Sequence, residues 1–165
     1  MIISDISEPG DVMQFRIGQV TPDPQEHQTA MGAVAPDLLI PDFDPAGVQS
    51  EITLAENGKV QAARVSVNIT HTWSGDLQLN LIAPNGQNIL LRDNNGQHTI
   101  DVQDTYDSVD HPALAGLAGG QVHGTWRLHV QDLERRDTGR LNAWSIEIDV
   151  TTQPKKILEI IGFMV

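Results

Sequence analysis

Two antiparallel β-sheets packed face to face are the fold this sequence predicts. Three observations lead there: runs of alternating apolar residues, turn dipeptides between those runs, and no long segment with helical periodicity. Val65, Val67 and Ile69 form one run, and Leu77, Leu79 and Leu81 a second. Trp126, Leu128 and Val130 form a third, and Trp144, Ile146, Ile148 and Val150 a fourth. A period of two places each set on one face of a strand, and that face must be buried. Asn57-Gly58, Pro84-Asn85-Gly86, Asn94-Asn95-Gly96 and Asp137-Thr138-Gly139 supply the turns. Several short strands, each with one apolar face, fit a pair of stacked sheets.

Taken in order, the chain opens with a single strand-like segment, Met13 to Ile17, with apolar residues at alternate positions. Pro22, Pro24 and Pro36 then punctuate a polar stretch, opposing both helix and central strand. Residues 18–37 therefore read as a linker or an extended surface segment. The expected organisation is an N-terminal extension or linker over 1–37 (in one reading the end of a preceding domain), a β-sandwich over 38–152, and a tail over 153–165. The tail holds the apolar run Ile157 to Val165. It reads as a terminal strand or short helix docked on its own domain, or as a sticky segment leading to an oligomer or a further domain.

With 165 residues the chain can bury a real core without staples. Its net charge of −12 repels phosphate backbones and argues against nucleic-acid binding, while favouring cations or basic partners. The absence of cysteine removes disulfides, thiolate zinc sites and cysteine nucleophiles. No apolar stretch approaches the length of a membrane span. Met1 to Asp5 has no basic region followed by an apolar run, so no signal peptide is visible. Either the chain begins inside a longer precursor or it is made without an export signal.

Residues 69–86 run through His71-Thr72, Gly75-Asp76-Leu77 and Pro84-Asn85-Gly86. Residues 124–150 carry Gly124-Thr125-Trp126, then Asp137-Thr138-Gly139 and Leu141 followed by Trp144. In order and spacing these elements resemble the P domain (P/Homo B domain) of proprotein convertases and bacterial subtilisin-like proteases. Ile40-Pro41-Asp42 resembles the usual start of that domain, so the resemblance covers about residues 38–150. It implies a jelly-roll-type, galactose-binding-like sandwich and makes His71, Gly75, Asp76, Gly124, Trp126 and Trp144 structural motif residues. One departure stands out: the stretch Pro112 to Gly120 looks like the bacterial variety, not the eukaryotic Trp-Gly-Glu pattern.

The residues themselves support those structural roles. Gly75 and Gly124 sit at strand entrances, where a missing Cβ permits tight backbone geometry. Trp126 and Trp144 are in phase with buried aliphatics, and each needs a partner for its indole N–H. Asp76, after a turn and before a strand, is placed to cap loop N–H groups.

For chemistry, the sequence lacks a Gly-x-Ser-x-Gly elbow, a His-Glu-x-x-His helix and a phosphate-binding glycine loop. His71 is in phase with Val65, Val67 and Ile69. It reads as a catalytic base, a metal ligand or a hydrogen-bonded core histidine, and the last is favoured because no suitably spaced partner is evident. His123 and His129 fall on the solvent phase of their strand. Asp101, Asp104, Asp107 and Asp110 make an acidic loop that either solvates the surface or, with Asp93, Asp132 and Asp137 in other turns, supplies oxygen ligands. Bacterial members of the resembled family often carry calcium, and the resemblance therefore implies Ca2+ held through Asp101, Asp104, Asp107, Asp132 and Asp137 as the expected cofactor.

The resemblance implies a non-catalytic accessory domain that packs on and stabilises a subtilisin-like serine endopeptidase, with a peptidase catalytic domain in cis or trans as partner. It also implies secretion as part of a larger precursor. The alternative is a free-standing module that binds carbohydrate or protein through exposed aromatics, for which Trp73 and Tyr106 are the candidates. Nothing in the sequence fixes the oligomeric state.

Overall fold

The computed structural model describes residues 27–152 together with two short strands, β1 (Ile3–Ser4) and β2 (Arg16–Ile17). The chain divides into two units, residues 1–26 with 154–165, and residues 27–153. In the first, β1 and β2 pair antiparallel, Ile3 opposite Ile17. The strand expected over 13–17 is thus described at Arg16–Ile17. Its remaining residues, and the tail over 153–165, lie outside the described residues.

The second unit is an all-β sandwich. Its strands are β3 (His27–Val34), β4 (Leu38–Ile40), β5 (Asp44–Leu54), β6 (Lys59–His71), β7 (Leu77–Ile82), β8 (Asn88–Arg92), β9 (Val102–Asp107), β10 (Gly124–Asp132) and β11 (Gly139–Thr151). One sheet has the order β5-β10-β7-β8; the other runs β3-β11-β6-β9, with β4 also paired to β11. Every pairing is antiparallel. From β5 onward the chain changes sheet at each connection except β7–β8, the hairpin closed at Pro84-Asn85-Gly86. That alternation gives the jelly-roll character, and the sheets remain open. Asn57-Gly58 therefore marks a change of sheet between β5 and β6, not a hairpin.

All four alternating runs line the inter-sheet core, and none of their residues is more than 5 % exposed. Each fully buried aliphatic contributes about 1.5–3 kcal/mol relative to exposure. Trp126 belongs to one sheet and Trp144 to the other, with 0 and 2 % exposure. Their indole N–H groups are satisfied: Trp126 Nε1 donates to the Val122 carbonyl at 3.0 Å and Trp144 Nε1 to Ser50 Oγ at 2.9 Å. Along β11 the buried phase moves from Leu141 to Trp144. A register irregularity between Leu141 and Ala143 accounts for this, since an extra residue flips the alternation.

Two expectations change. Residues 27–34 are not linker: they form β3, which pairs with β11 from Val34↔Trp144 to His27↔Thr151 and begins the sandwich before Leu38. Their inward positions are small because β3 crosses close to β5. A Cβ on Gly32 would overlap Ile52 Cγ2, and Ala30 is fully buried. Small residues leave no apolar alternation to read. Likewise, much of the acidic segment 101–110 is strand β9, held against β6 from Ile69↔Val102 to Arg64↔Asp107. The divergent stretch 112–120 starts with a helical turn, α1 (Pro112–Ala115). Leu114 and Leu117 from this stretch plug the core.

Candidate functional site

Four segments meet at one end of the sandwich because of the strand registers. Gly139 pairs with His71, and Leu77 with Asp132. This brings together the end of β6, the 3-10 turn Ser74–Asp76 that opens β7, the end of β10 and the turn before β11. His71 Nε2 lies 3.3 Å from Asp132 Oδ2, and both side chains are wholly buried. His71 Nδ1 accepts the Trp73 backbone N–H at 3.1 Å. Nδ1 thus keeps its lone pair, so the ring proton sits on Nε2 and is donated to the Asp132 carboxylate. The second Asp132 oxygen, Oδ1, accepts the Glu134 N–H at 3.1 Å. Burial pushes the Asp132 pKa up; the Glu134 N–H and His71 pull against that without cancelling it.

This pair ties the two sheets together, one partner on β6 and the other on β10. Gly139 seals it: a Cβ there would overlap the His71 ring at Cδ2. Asp101 clips the β6 end by accepting the His71 N–H through Oδ1 at 3.0 Å, while its own N–H donates to the His71 carbonyl at 3.0 Å. The Thr72 hydroxyl donates to Asp137 Oδ1 at 2.7 Å. His71 is therefore a core histidine with both ring nitrogens engaged. A general base needs a free lone pair within reach of a substrate proton, and this imidazole has none.

Gly75 is buried beneath the 94–97 loop. A Cβ would overlap the Gln97 backbone, and its carbonyl accepts the N–H groups of Asn95 and Gly96 at 2.9 and 3.0 Å. Gly75→Ala should destabilise the domain by about 1–3 kcal/mol, because backbone, not a flexible side chain, must yield. Urea denaturation of the two proteins measures this. Gly124, at the start of β10, has φ +127°, and a Cβ there would press within 2.8 Å of Pro84 Cβ. Both glycines thus serve tight backbone approaches.

Asp76 departs from its expected role. Among the described residues no N–H donates to its carboxylate, although the residue is only 6 % exposed. Its pKa is raised, first by burial and then by the charges of Asp132, Asp137 and Glu134. Its backbone carbonyl accepts the Leu133 N–H at 3.0 Å, which fixes it beside the end of β10.

The five aspartates expected to share a cation are dispersed. Asp107 is held by Arg64, at 2.7 Å from NH2, and by the Val109 N–H at 2.9 Å. These, the amide first, lower its pKa. Asp104 lies 3.4 Å from Arg92 NH1. Asp107 stands opposite Arg64, seven residues from His71, which is roughly 23 Å along a strand. Asp101, Asp132 and Asp137 share the His71 end. As the side chains are placed, no three carboxylates or imidazoles among the described residues converge on a metal position. The sequence could not show this, because it does not reveal that Asp107 meets Arg64 across the β6–β9 ladder or that Asp104 reaches Arg92 on β8 of the other sheet.

Trp73 and Tyr106 do not line one groove. Trp73 is half-buried, its ring 4.1 Å from that of His98, and Nε1 donates to the Gly96 carbonyl at 3.4 Å. Tyr106 sits opposite Val65, packs against the core and meets His111 edge-on at 5.7 Å. Burial, helped by the Asp104 charge, pushes its hydroxyl pKa up to about 12. His123 is exposed, and the partly exposed His129 is 2.8 Å from the Ala46 carbonyl through Nε2.

The sandwich, its buried His71–Asp132 tie and the two sheltered tryptophans define a P domain. The proprotein convertase P-domain model matches residues 60–148, just over half of the chain, and the chain belongs to that family. It is 35 % identical over 103 residues to a calcium-dependent protease of Trichormus variabilis, a match covering 61 % of this chain and 16 % of the relative. It is 38 % identical over 111 residues to a transglutaminase-activating metalloprotease of Streptomyces mobaraensis, covering 66 % of this chain and 14 % of that one. The chain thus spans a small part of these relatives. The crystal structure of the Aeromonas sobria serine protease with its chaperone superposes with a TM-score of 0.64 over 81 % of this chain and 28 % of that one. At 18 % identity this shows the shared fold. The relatives are proteases, so this is a protease-associated domain.

Proposed function

We propose that this chain is the non-catalytic accessory domain of an endopeptidase, packing on a subtilisin-like serine catalytic domain and stabilising it, and that it works outside the cytoplasm as part of a larger precursor. Family membership supports the association with a peptidase. The observation that carries the non-catalytic part is the closed His71–Asp132 pair, in which each imidazole nitrogen is already committed to a structural bond. The domain also binds Ca2+ on this reading, supported by the calcium dependence in the relatives' names and by the net charge of −12.

The purified chain is expected to hydrolyse neither casein nor simple esters, and the full-length polypeptide to carry a separate peptidase domain with a catalytic serine. Turnover by the chain alone that survives peptidase inhibitors would overturn the reading. So would a full-length polypeptide with no peptidase domain.

A further inference from the structure

Three Asn-Gly pairs occur in the chain, at 57–58, 85–86 and 95–96, and the fold treats them differently. Asparagine before glycine carries a built-in reaction. The glycine nitrogen can attack the preceding side-chain amide carbon, because no Cβ on the glycine shields that nitrogen. Asparagine is accordingly among the thermolabile residues. The attack needs a glycine N–H free of hydrogen bonds and an asparagine amide free to turn toward it.

Two of the pairs have neither. Gly86 donates its N–H to the Ala83 carbonyl at 2.9 Å, and Gly96 donates to the Gly75 carbonyl at 3.0 Å. Asn85 Oδ1 accepts the Gln87 N–H at 2.9 Å, and Asn95 Oδ1 accepts the Gln97 N–H at 2.9 Å. Each turn thus engages both reacting groups. The pair between β5 and β6 differs. Among the described residues no acceptor meets the Gly58 N–H, and no partner meets the exposed Asn57 side chain. Gly58 is nevertheless fixed in place. Its carbonyl accepts the Val122 N–H at 3.3 Å, its φ is +150°, and a Cβ there would overlap Val150 Cγ1. The fold therefore requires glycine after Asn57 and leaves that glycine's nitrogen unengaged.

We propose that Asn57 is a modification site, converting spontaneously to aspartate and isoaspartate while Asn85 and Asn95 are held back. A bond forms from the Gly58 nitrogen to Asn57 Cγ, the Cγ–Nδ2 bond breaks, and the Gly58 proton leaves with Nδ2 as ammonia. Water then opens the resulting cyclic imide at either carbonyl. One opening gives aspartate; the other routes the main chain through the former side chain and lengthens it by a carbon. Both products place a new negative charge beside Glu56. The lengthened form also disturbs the entry to β6, where Lys59 bridges Gln121 and Val60 bonds to Gly119 and Gly120. The isoaspartyl form should therefore melt below its parent. The reaction needs neither an attached peptidase nor calcium.

Ageing the chain in warm, mildly alkaline buffer below its melting temperature tests this, read by peptide mapping with mass spectrometry and enzymatic isoaspartate labelling. Native Asn57 should be lost roughly tenfold or more faster than Asn85 or Asn95, since at those sites hydrogen bonds must break before the attack. In urea the three sites should react at similar rates, because the protection is structural. Asn57→Gln should keep the initial Tm and remove most of the acidic species that ion exchange resolves in aged wild type. Equal native rates at the three pairs, or faster loss of Asn85 or Asn95, would overturn the proposal. An Asn57→Gln chain that turns acidic as fast as wild type would do the same.

Discussion

Trp126→Ala is expected to destabilise the sandwich by about 3–5 kcal/mol, the range for truncating a buried tryptophan. Three features put it there. The side chain is 0 % exposed, it sits between the sheets on β10, and its indole N–H satisfies the Val122 carbonyl. Truncation opens a cavity and strips that buried carbonyl of its donor. Trp73→Ala provides the contrast: half-buried, with its ring tilted against that of His98, it should cost about 1 kcal/mol or less. Urea unfolding of both variants reads the difference. Equal losses would mean that the two tryptophans are placed alike, contrary to the fold described.

His71→Ala is the second large effect, with an expected loss of about 3–5 kcal/mol. Removing one member of a buried pair leaves the other without its partner. Here the orphan is the Asp132 carboxylate, whose Oδ2 would face no donor. The loss should depend on pH. Burial already lifts the Asp132 pKa above that of the unfolded chain, and His71 is one of the groups holding it down. Without His71 the folded-state pKa rises further. When the folded pKa exceeds the unfolded one, the folded form takes up the proton first. That stability is fully present below the unfolded value of about 3.9 and is lost as pH rises through the folded value. The deficit of His71→Ala relative to wild type should therefore be smallest near pH 4 and grow toward neutrality. A deficit that shrinks with rising pH would mean that Asp132 is not the group left exposed.

The sequence carried the central strands in plain form because large apolar side chains alternate there. Val65, Leu79, Leu128 and Ile148 are buried in the phase their spacing requires. The edge strands were hidden for opposite reasons. On β3 the inward positions Ala30 and Gly32 are small because Ile52 lies close above them. On β9 a run of polar and acidic residues masks a ladder anchored in the core by buried Val102 and partly buried Tyr106. The burial of His71 could be read from its phase, but its partner could not. Asp132 is distant in sequence and comes opposite only after both sheets stack. Asp76 differs for the same kind of reason: a turn followed by a strand suggests a cap, and only the stacked sheets reveal that Asp132, Asp137 and Glu134 surround it. Sequence proximity within 101–110 suggests convergence, but β9 spreads Asp104 and Asp107 along a ladder away from Asp101, Asp132 and Asp137.

The proposed stabilising role is tested most directly by heat inactivation of a full-length polypeptide that carries a peptidase domain together with Trp126→Ala. This change lies inside the sandwich core and leaves the catalytic domain's own residues untouched. The half-life of activity at a fixed temperature should shorten several-fold, while the initial kcat/KM per titrated active site stays at the parent value. An unchanged half-life, with the sandwich shown to be weakened in the same molecule, would contradict the account.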